Sequence, residues 1–164
     1  MTYEELSSQE DLSKSEVKSY AKDTIAEYNK EAKEKRIHLD KVDEEDGVIY
    51  LKTSYDSVET YGDFTSYEAF GGTVKEAKKK GYDFNTSFVA VKDGVAGDNV
   101  TVDEVTKDNT KHVLIIRENC TFVVDGNILY VTEENTSVTD AHTVVVSPSK
   151  DNADASVLTY IVYE

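Results

Sequence analysis

The sequence is poor in the residues that cross-link or interrupt a fold: it has one cysteine, one proline, no tryptophan and no long apolar run. Because Cys120 stands alone, no disulfide can form within the chain. No stretch approaches the roughly 20 apolar residues that a membrane-spanning helix needs. The first residues also lack the basic and apolar regions of a secretory signal. These absences exclude a disulfide scaffold and predict that the chain has no transmembrane segment.

The chain is also poor in cations, with 18 Lys and Arg against 33 Asp and Glu and a net charge of −15. Binding to a phosphate backbone requires clustered cations, and the longest basic run is Lys78–Lys80. We therefore expect no nucleic-acid partner and no attraction to anionic membrane surfaces. Self-repulsion that keeps the protein in solution is the simplest meaning of the charge.

The length of 164 residues is typical of one domain and sufficient for a sizeable core. No internal repeat and no linker-like segment divides the chain. The sequence predicts an acidic tail or tether over residues 1–12 and a single α+β domain over residues 13–164.

A long amphipathic helix is predicted from Ser13 to about Arg36. Ser13 and Glu16 have the spacing of a capping box, and basic residues crowd the last turn, where cations complement the exposed carbonyls. Apolar and small residues recur at the spacing of one helix face: Val17, Tyr20, Ala21, Thr24, Ile25, Tyr28 and Ala32.

Short helices and strands are predicted for the rest of the chain. Ser66–Phe70 is predicted as a single helical turn, Thr73–Gly81 as a capped helix and residues 102–107 as a brief helix. From Lys111 onward, β-branched runs alternate with polar turns, and Asp125–Asn127 predicts a hairpin because type I′ turns favour such residues. The predicted fold class is α+β, with the long N-terminal amphipathic helix packed on a mainly antiparallel β-sheet or roll and short helices in the middle.

The acidic segment Asp40–Asp46 raises the question of a calcium loop. An EF-hand loop needs oxygen ligands at positions one, three and five, a glycine at six and a glutamate at twelve. Counting back from Gly47 puts Val42 at position one and Thr53 at position twelve, and neither supplies a carboxylate. We predict a solvated loop with no metal, and no cofactor motif is present elsewhere.

The three histidines, His38, His112 and His142, lie in no catalytic motif. Cys120 precedes an apolar strand and is interpreted as a small buried hydrophobe rather than a nucleophile. Thirty-three carboxylates guarantee that some pair falls at glycosidase spacing by chance. No catalytic residue is assigned, and a hydrolase that uses carboxylates or a histidine–carboxylate pair stays open as the alternative function.

Tyrosine is abundant, with eleven residues, and several aromatic side chains fall between residues 50 and 70. Aromatic rings suit binding surfaces, where the apolar face makes contact and a tyrosine hydroxyl stays wet. The candidate binding residues are Tyr50, Tyr55, Tyr61, Phe64 and Tyr67. The simpler interpretation is that these rings are half buried and cover a sheet beneath the long helix.

Four runs of the sequence carry a resemblance. Ser66–Ala77, Gly81–Phe84, Val123–Val131 and Tyr160–Tyr163, in that order, resemble a group of small uncharacterised lipoproteins of Gram-positive anaerobic bacteria. The resemblance implies export, with a signal peptide removed and a lipid-anchoring cysteine upstream of Met1. It would make the acidic N-terminus a tether, and it implies no catalytic or binding residues because the group has no assigned function.

The expected function is a non-catalytic, secreted or cell-surface module of lipoprotein type. It would act by binding a protein, peptide or carbohydrate ligand, or as a structural element. The expected location is the secreted space or the outer face of the cell membrane, and a cytoplasmic partner-binding protein is the alternative.

Overall fold

The computed structural model of the chain describes residues 2–7, 13–148 and 156–164. Its elements group into two compact units, Met1–Thr65 and Ser66–Glu164, called here the N-terminal unit and the C-terminal unit. Each contains helices and antiparallel sheets, so the α+β class is confirmed. The division after Thr65 was not predicted, because no linker-like composition marks it.

The N-terminal unit consists of one long helix, one short helix and a three-stranded antiparallel sheet in the order β1-β3-β2. Its elements are β1 Thr2–Ser7, α1 Lys14–Ala32, β2 Ile37–Glu45, β3 Val48–Tyr55 and α2 Val58–Thr65. Residues 2–7, predicted as part of a tail, therefore form an edge strand paired with β3. The other residues of the predicted tail, 1 and 8–12, lie outside the described residues.

Helix α1 begins with the capping box predicted at Ser13 and Glu16. It ends at Ala32 rather than near Arg36, because Lys33 adopts the left-handed conformation (φ 58°) that terminates a helix. Ala21 and Ile25 are buried, whereas Tyr20 is 75% exposed. Tyr20 was therefore wrongly counted in the buried stripe.

The acidic segment Asp40–Asp46 is not the solvated loop that was predicted. Most of it belongs to β2, and a two-residue turn at Asp46 and Gly47 connects β2 to β3. Both turn residues have positive φ, 51° and 78°, as a type I′ hairpin requires. Asp46 and Gly47 are a typical sequence for a hairpin turn. The prediction missed it because it considered the acidic residues only as possible metal ligands.

The C-terminal unit contains a six-stranded antiparallel sheet, a three-stranded antiparallel sheet and two short helices. The strand orders are β4-β7-β12-β9-β5-β6 and β10-β11-β8. The elements are β4 Ala69–Thr73, α3 Val74–Lys80, β5 Phe88–Lys92, β6 Val95–Val100, α4 Val102–Val105, β7 His112–Ile116, β8 Thr121–Val123, β9 Ile128–Thr132, β10 Thr136–Val138, β11 Thr143–Val146 and β12 Thr159–Tyr163.

Two predictions in this unit are confirmed and two are wrong. Helix α3 has the predicted capping box and ends at Gly81 with φ 99°, and α4 is capped by Thr101. The predicted helical turn at Ser66–Phe70 does not form. Strand β4 begins within this range, at Ala69, and pairs with β7. The predicted hairpin at Asp125–Asn127 does not form, because β8 pairs with β11 while β9 pairs with β12 and β5.

Gly126 shows why the chain takes this other route. Asn127 exchanges two backbone hydrogen bonds with Glu164, at 2.7 and 3.0 Å. A Cβ at Gly126 would lie 2.2 Å from the carbonyl oxygen of Glu164. Glycine is therefore needed here for close contact with the C-terminal strand rather than for a tight turn.

The core of the C-terminal unit lies against the central strands of the six-stranded sheet. Every residue from Val113 to Ile116 and from Thr159 to Val162 is buried, so β7 and β12 are covered on both faces. The core cluster on one face joins α3 and α4 to the sheet. Its aromatic centre is Phe84, Phe88 and Tyr160, with ring centroids 4.8 Å apart for Phe84 and Tyr160.

Candidate functional site

The candidate site is an open groove of about 700 Å³ in the N-terminal unit, between the second half of α1 and the start of β2. We call it the α1–β2 groove. Its apolar lining is Ile25, Ala26, Ile37 and Leu39, and its basic lining is Lys22, Lys30, Lys33, Lys35 and His38. Asn29 and Glu34 complete it.

Asn29 fixes the geometry of the groove by joining α1 to β2. Its side-chain oxygen accepts hydrogen bonds from the backbone N–H groups of Arg36 (2.8 Å) and Ile37 (3.0 Å). Its amide donates to the carbonyl oxygen of Ile37 at 2.8 Å. These three bonds satisfy backbone groups of Arg36 and Ile37 on the outer edge of β2, and they join the two walls of the groove.

Arg36 fixes the start of β2 against the end of β3. Its guanidinium Nε donates to Asp56 at 3.0 Å, and the backbone N–H of Asp56 donates to the carbonyl of Arg36 at 2.9 Å. Hydrogen bonds from Thr60, which has the larger effect, and from Arg36 lower the pKa of Asp56 from its ordinary value. Asp56 is thus held as the anion that Arg36 needs.

The lysines of the groove differ from the other cations near them. Lys14 and Lys41 contact Asp43, at 3.2 and 2.9 Å. In the described part of the chain, by contrast, no carboxylate lies within ion-pair distance of the four groove lysines, which are Lys22, Lys30, Lys33 and Lys35. In a chain of charge −15, these lysines form a local group of cations outside the ion pairs of the described residues.

Helical spacing separates the charges of α1. Asp23, Glu27 and Glu31 are four residues apart and share one side of the helix. Lys22 and Lys30 line the groove. Among the described residues of the lining, Glu34 is the one carboxylate, and it lies 3.8 Å from the Arg36 guanidinium. The groove therefore presents a mainly basic rim around an apolar floor.

The structure does not gather the five predicted binding residues into one surface. Tyr55 and Tyr61 are buried, at 6% and 0% exposure, and contact each other edge to face with centroids 5.2 Å apart. Phe64 is half buried and contacts Tyr28 at 5.5 Å. These three rings belong to the core of the N-terminal unit, and Tyr55 and Tyr61 are buried more deeply than the half burial of the simpler interpretation.

The other two predicted rings are exposed. Tyr50 is 39% exposed, and its side chain projects from the face of β3 opposite to the buried Ile49. Tyr67 is 47% exposed and belongs to the C-terminal unit. A binding role for Tyr50 and Tyr67 stays a prediction.

The surroundings of His112, His142 and Cys120 bear on the hydrolase alternative. His142 Nδ1 lies 2.8 Å from the carbonyl oxygen of Gly126, and the His112 ring stacks on Tyr163 with centroids 5.5 Å apart. Burial, and to a smaller extent the charge of Glu118, raises the pKa of the Cys120 thiol to about 12. Cys120 is therefore held protonated, which is unsuited to nucleophilic attack.

The acidic residues that suggested a calcium site lie in β2 and in the turn that follows it. Hydrogen bonds from Lys41, the Glu44 backbone and Lys14 hold the pKa of Asp43 far below its usual range. Within residues 2–7, 13–148 and 156–164, no group of three or more His, Cys, Asp or Glu side chains could hold a metal ion. No helix in the same part of the chain is both long and apolar enough to cross a bilayer.

Comparison with known proteins gives no match: no family model, no curated protein and no solved structure is similar to this chain. The resemblance to lipoproteins of Gram-positive anaerobes accordingly stays a prediction.

Sequence reasoning missed the α1–β2 groove, although part of its signal was present. Lys22, Lys30 and Lys33 recur at helical spacing beside Ala26 and Asn29. The basic residues near the helix end were explained by the helix dipole alone. Nothing in the sequence indicated that Asn29 would bond to Ile37.

Proposed function

We propose that this chain is a non-catalytic binding module of the cell surface or the secreted space, and that its ligand occupies the α1–β2 groove. The observation that carries the proposal is the groove itself, with fixed walls, an apolar floor and four lysines that no described carboxylate neutralises. Apolar area provides affinity and uncompensated charge provides selectivity.

The location outside the cell rests on the resemblance to exported lipoproteins and is part of the same proposal. In this proposal α1 and its sheet act as a rigid frame for the groove. The exposed Tyr50 lies on the other face of the sheet and would serve a second contact at most.

A blocked groove tests the proposal. Ala26 is exposed in the groove lining, so Ala26→Trp fills the groove without disturbing the core. Tyr20→Trp is the matched control, because Tyr20 is already a 75% exposed aromatic residue of the same helix outside the groove. The natural chain has no tryptophan, so the indole fluorescence of each variant comes from the new residue alone.

The probes are a short peptide alternating Glu and Leu, its counterpart alternating Gln and Leu, and chitotriose, each added at concentrations up to about 1 mM, which detects weak complexes. We expect at least one probe to bind the natural chain and the Tyr20→Trp variant and to lose its affinity for Ala26→Trp. Binding of none of them, or equal binding to the blocked variant, would overturn the proposal.

A further inference from the structure

We infer that the ligand of the α1–β2 groove is an extended peptide segment in which carboxylates alternate with apolar side chains. This inference rests on the proposed function and specifies the chemistry of its ligand. It follows from the shape of the groove, the position of β2 in its sheet and the charges of the rim.

The shape of the groove favours a chain over a small molecule. A small ligand gains affinity from a pocket that buries most of its surface. The α1–β2 groove is open to solvent, with one wall on a helix and the other on a strand, so a small ligand would remain largely in water. An extended segment can instead make contacts along both walls.

The edge of β2 offers a peptide backbone one position, Leu39, because Asn29 already bonds to Ile37. β2 is an outer strand of its sheet, and just before it the carbonyl of Arg36 points toward the end of β3, where it accepts from Asp56. In an antiparallel pair the residues alternate in direction, so Ile37 and Leu39 direct their N–H and C=O groups away from β3. Asn29 bonds to those of Ile37, as a neighbouring strand would.

Leu39 is the next outward-facing position and lies in the groove lining. The register of β2 then shifts between Leu39 and Lys41, which limits main-chain pairing to this short stretch. Side chains of the ligand must therefore supply most of the recognition.

The rim specifies the charge of those side chains. Carboxylates spaced along an extended segment would pair with Lys22, Lys30 and Lys35, and the side chains between them would face Ile25 and Leu39. A long polyphosphate or nucleic acid fits less well. It has no apolar side chains for this floor, and the net charge of −15 repels a dense polyanion more strongly than a peptide with a few carboxylates.

The test compares affinities of the full chain for three fluorescent peptides that alternate Leu with Glu, Gln or Lys. We expect the Glu peptide to bind about tenfold or more tighter than the Gln peptide, and the Lys peptide to bind weakest. The affinity for the Glu peptide should fall when the salt concentration rises from about 0.05 to about 0.5 M, because salt screens exposed ion pairs.

Charge reversal in the groove locates the effect. Lys22→Glu with Lys30→Glu should weaken binding of the Glu peptide about tenfold or more. Lys75→Glu with Lys78→Glu is the matched control, because it changes the net charge equally at exposed positions of α3. If circular dichroism shows that helix α1 unfolds in this charge-reversed variant, the variant Lys22→Gln with Lys30→Gln is used in its place. We expect it to weaken binding of the Glu peptide in the same direction but less strongly.

Three results would overturn the inference. The first is equal affinity for the Glu and Gln peptides. The second is an equal loss of affinity for the Glu peptide in the groove variant and in the control variant. The third is groove-dependent binding of inorganic polyphosphate that is tighter than binding of the Glu peptide. If the Gln peptide binds as well as the Glu peptide and Ala26→Trp still blocks both, the proposed binding function survives and only the ligand class is wrong.

Discussion

The two units of the chain bury their strands differently. In the C-terminal unit, β7 and β12 are covered on both faces, and their sequences are continuous apolar runs. In the N-terminal unit, β3 alternates between the buried Ile49, Thr53 and Tyr55 and more exposed residues such as Tyr50. The first pattern buries both faces of a strand, whereas the second leaves one face of β3 more open to solvent.

This difference indicates which residues of the chain are available for function. The aromatic residues that drew attention in the sequence are largely core. The uncompensated charges lie beside a helix that sequence reasoning treated as scaffold. Under the binding proposal, stability and recognition depend on different sets of residues, and substitutions can separate them.

The largest effect is expected for Phe88→Ala. Phe88 is fully buried and contacts Tyr160 with centroids 5.8 Å apart, so the cavity should lower the free energy of unfolding by about 3–5 kcal/mol. Chemical denaturation measures the loss, and hydrogen exchange locates it. We expect protection to fall in Ser66–Glu164 while α1 and β3 keep theirs. An equal fall in both units would show that they do not unfold as separate bodies.

Gly126→Ala should come next, with a loss of about 1–3 kcal/mol. The new Cβ would lie 2.2 Å from the Glu164 carbonyl oxygen, which must move and weaken its hydrogen bond with Asn127. Gly97→Ala is the control, because its Cβ would meet only an ordinary contact at 3.6 Å. Thermal denaturation of both variants checks this, and similar midpoints would contradict the close contact at Gly126.

Asn29→Ala should destabilise the N-terminal unit by about 1–3 kcal/mol, because it leaves backbone groups at Arg36 and Ile37 without their partner. Asn29→Asp keeps the acceptor and loses the donor, so its loss should be smaller. Amide exchange at Ile37 is the measurement. Unchanged exchange at Ile37 in Asn29→Ala would show that the asparagine does not hold β2.

The smallest effect is a pH dependence at Asp43. Lys41 and Lys14 hold its pKa in the folded state below that of the unfolded chain, so the unfolded chain takes up a proton first. The stabilisation is present above about pH 4, near the ordinary pKa of aspartate, and is lost as the pH falls through the lower, folded-state pKa. Asp43→Asn should flatten the acid side of the stability curve slightly, and an unchanged curve would exclude this contribution.

The sequence predicted the local signals of the fold better than its pairings. The capping boxes at Ser13 and Thr73 depend on residues three positions apart, and both are present. The route at Asp125–Asn127 could not be foreseen, because it depends on the distant Glu164. The division after Thr65 likewise reflects contacts between residues far apart in the sequence.

The candidate site was predictable only in part. The lysines of α1 could be placed on one side of a helix by their spacing. Their lack of carboxylate partners is a property of the folded unit, and so is the bond from Asn29 to Ile37. Tyr55 and Tyr61 show the converse, since their composition suggested a surface and their burial makes them core.

The most direct test of the binding proposal is amide chemical-shift mapping of the full chain with the peptide that alternates Glu and Leu. We expect the signals that move to belong to the second half of α1 and to residues 35–39, while those of Ser66–Glu164 stay in place. Movement confined to the C-terminal unit, or no movement at any peptide concentration up to about 1 mM, would contradict it.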